Sequence, residues 1–133
     1  MRRIWSVLYW LAVVTIALGS LGHGVAGTRA MEQALGATTL APEWNEVIHI
    51  VWHFVTAMMV ACGVIVLTGW FLARRGSRGA FIAPAIVAIL YLGFGLTATV
   101  YQHGERFWLL FVLQGIVLLA AIAGLSRPAV RQS

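Results

Sequence analysis

Four long stretches of the chain carry almost no charged residues, and this pattern limits the possible folds more than any other feature of the sequence. The stretches are residues 4–27, 43–73, 80–102 and 107–126. Only the second contains charges, which are Glu43 and Glu46 near its start. A transmembrane helix needs roughly 20 mainly apolar residues to cross about 30 Å of hydrocarbon. The sequence therefore predicts an all-α integral membrane protein, a four-helix bundle that forms a single domain over residues 1–133.

The composition agrees with a lipid bilayer as the main partner and argues against nucleic acid. Of the 133 residues, 61% are hydrophobic and only 10% are charged, whereas a soluble domain is about 25% charged. The net charge of +5 comes from nine arginines and four glutamates. So few charges cannot form a surface that follows a phosphate backbone. Cys62 is the one cysteine in the sequence, which excludes an intrachain disulfide and a metal site built on several cysteines.

The arginines are distributed unevenly, and their distribution predicts the orientation of the chain. The connections between the last three stretches are short, which favours antiparallel neighbours and an up-down bundle. In that arrangement seven of the nine arginines flank one side of the membrane: Arg2, Arg3, Arg74, Arg75, Arg78, Arg127 and Arg131. The positive-inside rule makes this side the cytoplasm. Both termini are therefore predicted to be cytoplasmic, with the bacterial inner (plasma) membrane as the expected location and all the glutamates, including Glu105, outside.

The connection between the first two stretches has room for structure of its own. Residues 29–35 are mostly helix formers and are followed by Gly36, so they predict a short helix. Pro42 suits the first turn of the next helix, and Glu43 suits the positive end of its dipole. The first stretch is longer than the hydrophobic region of a signal peptide and contains aromatic residues such as Trp10. We therefore expect it to be a true membrane span.

The four histidines are the candidate functional residues, because all of them fall on the predicted outer side. Glu46, His49 and His53 are spaced at i, i+3 and i+7, which places them within about 60° on one face of a helix. His53 would lie roughly 10 Å deeper along the helix axis than Glu46. Ionisable residues at such depth usually face the interior of a bundle, and Gln114 is expected at a similar depth. Met58, Met59 and Cys62 point away from the histidine face and are expected to pack in the core.

The first functional hypothesis is a transition-metal ion, either zinc, copper or iron. Imidazole nitrogens suit all three metals, and two histidines at i and i+4 can share one ion from a single helix. The predicted metal ligands are His23, Glu46, His49, His53 and His103. This set would serve metal handling at the outer face of the membrane.

The second hypothesis is haem b, held between histidines of two helices for electron transfer. The predicted cofactor-binding residues are His23, His53, His103, Arg29 and Arg106, with the two arginines meeting the haem propionates. Axial ligands lie on opposite faces of the haem ring, so His49 and His53 cannot both ligate one haem. One of these two would need another role, such as a hydrogen bond or a contact to a quinone.

A third account needs no cofactor, because histidines near the headgroups can be half-solvated polar side chains. The chain would then be a non-catalytic accessory subunit that packs against other membrane subunits or against copies of itself. The sequence contains no hydrolase, phosphate-binding or dinucleotide-binding motif, which favours a role without catalysis. The leading prediction remains a small polytopic membrane protein that binds a metal ion or metal cofactor at its outer face.

Overall fold

Helices account for all the regular secondary structure in the part of the chain that the structure describes. The structure is a computed structural model, and it describes residues 2–103 and 106–126. The helices are α1 (Arg2–Leu21), a π-helical turn (Gly22–Gly27), α2 (Thr28–Gly36), α3 (Pro42–Arg74), α4 (Ile82–Tyr101), a 3-10 turn (Arg106–Trp108) and α5 (Leu109–Ser126). The described residues form no strand, which confirms the all-α prediction. Glu105, Arg127 and Arg131, which the predictions used, lie outside the described residues.

Four helical segments are long and apolar enough to cross a membrane, and they match the four predicted spans. They are Arg3–Gly36, Pro42–Arg74, Ile82–Tyr101 and Arg106–Ser126. The first two contain 34 and 33 residues, so each is about 50 Å long at 1.5 Å per residue. The last two contain 20 and 21 residues and are about 30 Å long. The first two helices therefore exceed the length that a bilayer requires.

The first long helix does not end where the sequence predicted. Gly22–Gly27 form a π-helical turn, and α2 follows without a break. The predicted helix over residues 29–35 is confirmed, but it continues the first span and is not a separate element within a loop. Within the junction, the hydroxyl of Thr28 donates a hydrogen bond of 2.8 Å to the carbonyl of Gly24. Helix α3 begins at Pro42, as predicted.

The apolar core lies where α1 and α4 begin and where α3 and α5 end. Its buried residues are Tyr9, Ala12, Val13, Ile16, Val66, Val87, Ala88, Tyr91, Leu118 and Ala121. Tyr9 is 0% exposed, and its hydroxyl donates a hydrogen bond of 2.7 Å to the carbonyl of Val66. Gly69 lies so close to Pro84 that a Cβ atom would not fit between them. Small residues therefore let the helices approach closely at this end, as is common in membrane bundles.

Packing is looser at the other end, where α1 meets the π-helical turn and α3 begins. Helix α1 contacts both α3 and α5, and α4 contacts both α5 and α3. The buried residues of α3 are Val66 and Gly69, both in its last third. The first two-thirds of α3 are therefore less tightly packed against the other helices. This part of the molecule contains the candidate site.

Candidate functional site

A cavity of about 810 Å³ lies between the four long helices, next to the apolar core. Small residues of α1 and the π-helical turn form part of its wall, including Gly19, Gly22 and Ala26. Its aromatic wall residues are Trp52, Tyr91, Phe94, Phe107, Trp108 and Phe111. The wall also contains the polar side chains of His23 and Gln114, and it contains no charged side chain among the described residues. The cavity is therefore an apolar space with a small number of polar groups.

His23 is held in place by two residues of α3. Its Nδ1 lies 2.8 Å from Oγ1 of Thr56. Its ring stacks on the indole of Trp52, with the ring centroids 4.1 Å apart and the planes 17° from parallel. The residue is half-buried. The imidazole thus has a fixed position and orientation at the cavity wall.

The contacts of Thr56 assign the proton of His23 to one ring nitrogen. The hydroxyl of Thr56 lies 3.0 Å from the carbonyl of Trp52, to which it donates, and 2.8 Å from Nδ1 of His23. A hydroxyl has one hydrogen, so with that hydrogen on the carbonyl Thr56 accepts from His23, and we assign the proton to Nδ1. In the neutral imidazole Nε2 then carries the free lone pair. A second chain of bonds runs from Nε1 of Trp52 to the hydroxyl of Thr28 at 3.1 Å and supports the indole.

Two glycines allow the π-helical turn to approach α3 this closely. A Cβ atom on Gly24 would lie 2.8 Å from Cγ2 of Thr56, and one on Gly27 would lie 2.9 Å from Cζ2 of Trp52. Both distances are well below the carbon–carbon contact distance of about 3.5–4.0 Å. A Cβ atom on Gly22 would meet nothing within 4 Å. The absence of side chains at Gly24 and Gly27 therefore lets the histidine ring contact its two partners on α3.

Tyr91 belongs to the cavity wall, but its hydroxyl is not accessible from the cavity. The residue is 7% exposed, and its hydroxyl oxygen is buried without a hydrogen-bond partner among the described residues. The side chain of Gln114 is half-buried at the same cavity, and its amide can donate and accept hydrogen bonds. His23 and Gln114 therefore give a bound molecule two polar side chains to contact.

The cavity is open at the surface of the bundle. Met58 of α3 and Leu90 and Phe94 of α4 line it, although each of them is also about half exposed. Met59 and Cys62 belong to the same wall. The sequence correctly placed the two methionines and Cys62 away from the face that carries His49 and His53. Cys62 also packs against the apolar core, as predicted, whereas the two methionines line the cavity.

The predicted stripe on α3 lies on a different face from the cavity. The rings of His49 and His53 are neighbours, with centroids 6.5 Å apart. His49 is half-buried, whereas His53 and Glu46 are exposed. The expectation that this stripe faces the bundle interior is therefore wrong for His53 and Glu46. The reason is that the face with Trp52 packs against the glycine-rich turn of the first helix, which rotates the histidine stripe outward.

The remaining predicted residues lie near the rim of the bundle. His103 is exposed and has a φ of 53° just after the end of α4. Arg29 and Arg106 are exposed, and each is adjacent in sequence to a residue of the cavity wall, Ala30 and Phe107 respectively. Within the described residues, no three histidine, cysteine, aspartate or glutamate side chains come together to hold a metal ion.

The sequence interpretation missed Trp52, Thr56 and Tyr91. Thr56 follows Trp52 by four residues, one helical turn, and this spacing was the available signal for a shared face. The pairing of that face with the turn around His23 depends on how α1 and α3 pack.

Comparison of the chain with protein-family models, with curated proteins and with solved structures finds no match.

Proposed function

We propose that this protein binds an apolar molecule within the membrane, in the cavity between its four long helices. His23 is the residue that contacts the polar or metal-bearing group of that molecule. The observation that carries the proposal is a cavity of about 810 Å³ with one oriented imidazole at its wall. Small-molecule sites are typically apolar cavities of about 300–1,000 Å³ with a few placed polar groups. The role is binding or transfer of the molecule, without catalysis by this chain.

The proposal includes the orientation expected from the arginines. Arg3 and Arg74 mark the cytoplasmic end of an up-down bundle in the bacterial inner membrane, with both termini in the cytoplasm. The cavity then lies in the outer half of the bilayer. Because Leu90 and Phe94 are exposed beside it, the ligand reaches the cavity from the lipid phase, between α3 and α4.

Haem b is a separate, alternative ligand for the same cavity. A histidine that ligates a metal usually donates its other ring N–H to a fixed acceptor, and Nδ1 of His23 does so to Thr56. Arg29 and Arg106, adjacent in sequence to cavity residues, would pair with the propionates. His53 and His103 are exposed, so in this version of the proposal His23 alone supplies a histidine ligand within the cavity.

The proposal is tested by identifying what the purified protein carries. The full chain is purified in detergent, its absorption spectrum is recorded, and an organic extract is analysed by mass spectrometry. We expect a specific apolar compound, or a Soret band in the case of haem, in the wild type. His23→Ala should lose it by about tenfold or more, since one oriented hydrogen bond or metal bond is removed.

His53→Ala is the matched control, because it removes an exposed histidine from the same end of the molecule. This variant should keep the wild-type amount of the bound compound. Equal amounts in wild type and His23→Ala, or loss in His53→Ala alone, would contradict the proposal.

A second candidate function is binding of a transition-metal ion at the α3 stripe. The adjacent rings of His49 and His53 favour it, with Glu46 one turn before His49 as a further ligand. Two imidazoles fill half of a tetrahedral zinc site, so the other ligands would come from a second subunit. This candidate joins the metal hypothesis to the accessory-subunit hypothesis, because the exposed face of α3 would then be covered by a partner. Elemental analysis of wild type, His49→Ala and His23→Ala tests it, and the metal should be lost only from His49→Ala.

A further inference from the structure

We infer that the cavity selects a neutral apolar molecule that carries a hydroxyl group, and that this hydroxyl donates its hydrogen to Nε2 of His23. The inference rests on the proposed function, because it names the chemical class of ligand for the same cavity. It follows from the protonation of the ring, from the absence of charged side chains at the described wall, and from the amide of Gln114 at the same wall.

The protonation of His23 decides what it can recognise. The hydrogen of the Thr56 hydroxyl is directed to the carbonyl of Trp52, so Nδ1 of His23 donates to Thr56. Nε2 of the neutral ring is then a hydrogen-bond acceptor. An acceptor pairs with a ligand hydroxyl and repels a ligand carbonyl oxygen, which also presents only lone pairs.

The wall of the cavity excludes ionised ligands. No arginine, lysine, aspartate or glutamate lines it among the described residues. A fatty acid carboxylate would lose its hydration without gaining a counter-charge, which is strongly unfavourable. The part of the ligand inside the cavity is therefore neutral, and its polarity is limited to groups that form hydrogen bonds.

Gln114 adds a second point of contact. Its side chain belongs to the cavity wall and is half-buried. The amide of Gln114 can donate or accept a hydrogen bond, so it can pair with a second oxygen atom of a ligand. Hydroxyl-bearing ring compounds such as benzoquinols have two oxygens, whereas isoprenoid alcohols have one, and Gln114 separates these two sources of the same chemistry.

The test measures equilibrium binding of defined probes to the full-length protein in detergent, after endogenous quinones have been removed from the protein. The probes are a benzoquinol with a short isoprenoid tail, its dimethyl ether, the corresponding benzoquinone and an isoprenoid alcohol of similar length, all under anaerobic conditions. The quinol should bind about tenfold more tightly than the ether and the quinone, which is the effect of one ordinary hydrogen bond. Equal binding of quinol and ether would overturn the inference and leave the proposed function standing. Binding of none of the probes would also overturn the inference, and the extraction experiment then decides whether the proposed function stands.

Variants at position 56 test the protonation argument itself. Thr56→Val removes the acceptor for Nδ1 and lets the ring place its proton on Nε2, so the preference for quinol over quinone should fall from about tenfold towards equal binding. Thr56→Ser keeps the hydroxyl and should keep the preference. Thr99→Val, which removes a hydroxyl that bonds within α4, is the control for loss of a hydroxyl elsewhere and should also keep it. An unchanged preference in Thr56→Val, or a lost preference in Thr56→Ser, would overturn the inference.

Gln114→Leu identifies the source of the ligand. If the natural ligand has two oxygens, this variant should weaken quinol binding several-fold and leave the isoprenoid alcohol unaffected. If the alcohol binds the wild type as tightly as the quinol does and Gln114→Leu changes neither, the ligand is a lipid with a single hydroxyl. Both results support a hydroxyl as the recognised group.

Discussion

Substitutions in the π-helical turn give a quantitative test of the site geometry. Gly27 has a φ of −63°, an angle that alanine adopts without strain, so Gly27→Ala changes only the side-chain volume. The new Cβ would lie 2.9 Å from Cζ2 of Trp52, and relief of that contact needs a shift of about 0.6–1 Å. The indole is rigid, so the shift breaks its hydrogen bond to Thr28 and displaces the surface on which His23 stacks.

The magnitude follows from two opposing effects. Overpacking of this size costs about 1–3 kcal/mol, whereas replacing glycine by alanine in a helix gains about 1 kcal/mol. Gly93→Ala in α4 measures the second effect alone, since its Cβ would meet nothing within 4 Å and the residue does not line the cavity. The difference in the free energy of unfolding between the two variants should therefore be about 1–3 kcal/mol, with Gly27→Ala the less stable.

The assay is reversible unfolding of both variants in mixed micelles, combined with ligand content of the folded protein. Gly27→Ala should also lose bound ligand, and Gly93→Ala should retain it. Equal stability and equal ligand content in the two variants would refute the close approach of the turn to α3.

Three further predictions test other parts of the structure. Tyr9→Phe should lower the free energy of unfolding by about 0.5–1.5 kcal/mol, because it removes the hydroxyl that bonds the carbonyl of Val66. The control Tyr101→Phe, at an exposed site, should leave the free energy of unfolding unchanged. A similar loss of stability in both variants would contradict the core assignment. A reporter active only in the cytoplasm should work when inserted at Gly76 and fail when inserted at Gly36, and the reverse pattern would invert the proposed orientation. His49→Ala and His53→Ala should leave the cavity ligand in place, as measured by extraction. Loss of the ligand from either variant would mean that the site lies on the histidine face of α3 and not on the face with Trp52.

The sequence was sufficient to predict the four spans because hydrophobic length is a local property. The same holds for the start of α3 at Pro42 and for helix formation over residues 29–35. The junction at Gly22–Gly27 was not predictable in this way, because glycine is also typical of helix ends. It remains helical here because the turn packs against α3, and that contact is formed by residues about 30 positions later in the chain.

The candidate site was only partly predictable for a related reason. Helical spacing correctly grouped Glu46, His49 and His53 on one face, but spacing does not decide which face of a helix points inward. That choice depends on the fit between Trp52 and the glycines of the first helix. His23 was predicted as a site residue from its position alone, and its partners became visible only once the two helices were packed together.

Photolabelling tests most directly the claim that the cavity binds an apolar ligand at His23. An isoprenoid alcohol with a diazirine group is irradiated with the full-length protein, and labelled residues are mapped by mass spectrometry. The label should concentrate on cavity residues such as Trp52 and Phe111, and His23→Leu or excess unlabelled alcohol should remove it. Two results together would contradict the account. The label would be spread over exposed residues of α4 that do not line the cavity, such as Ile86 and Ile89, and this labelling would be unchanged in His23→Leu.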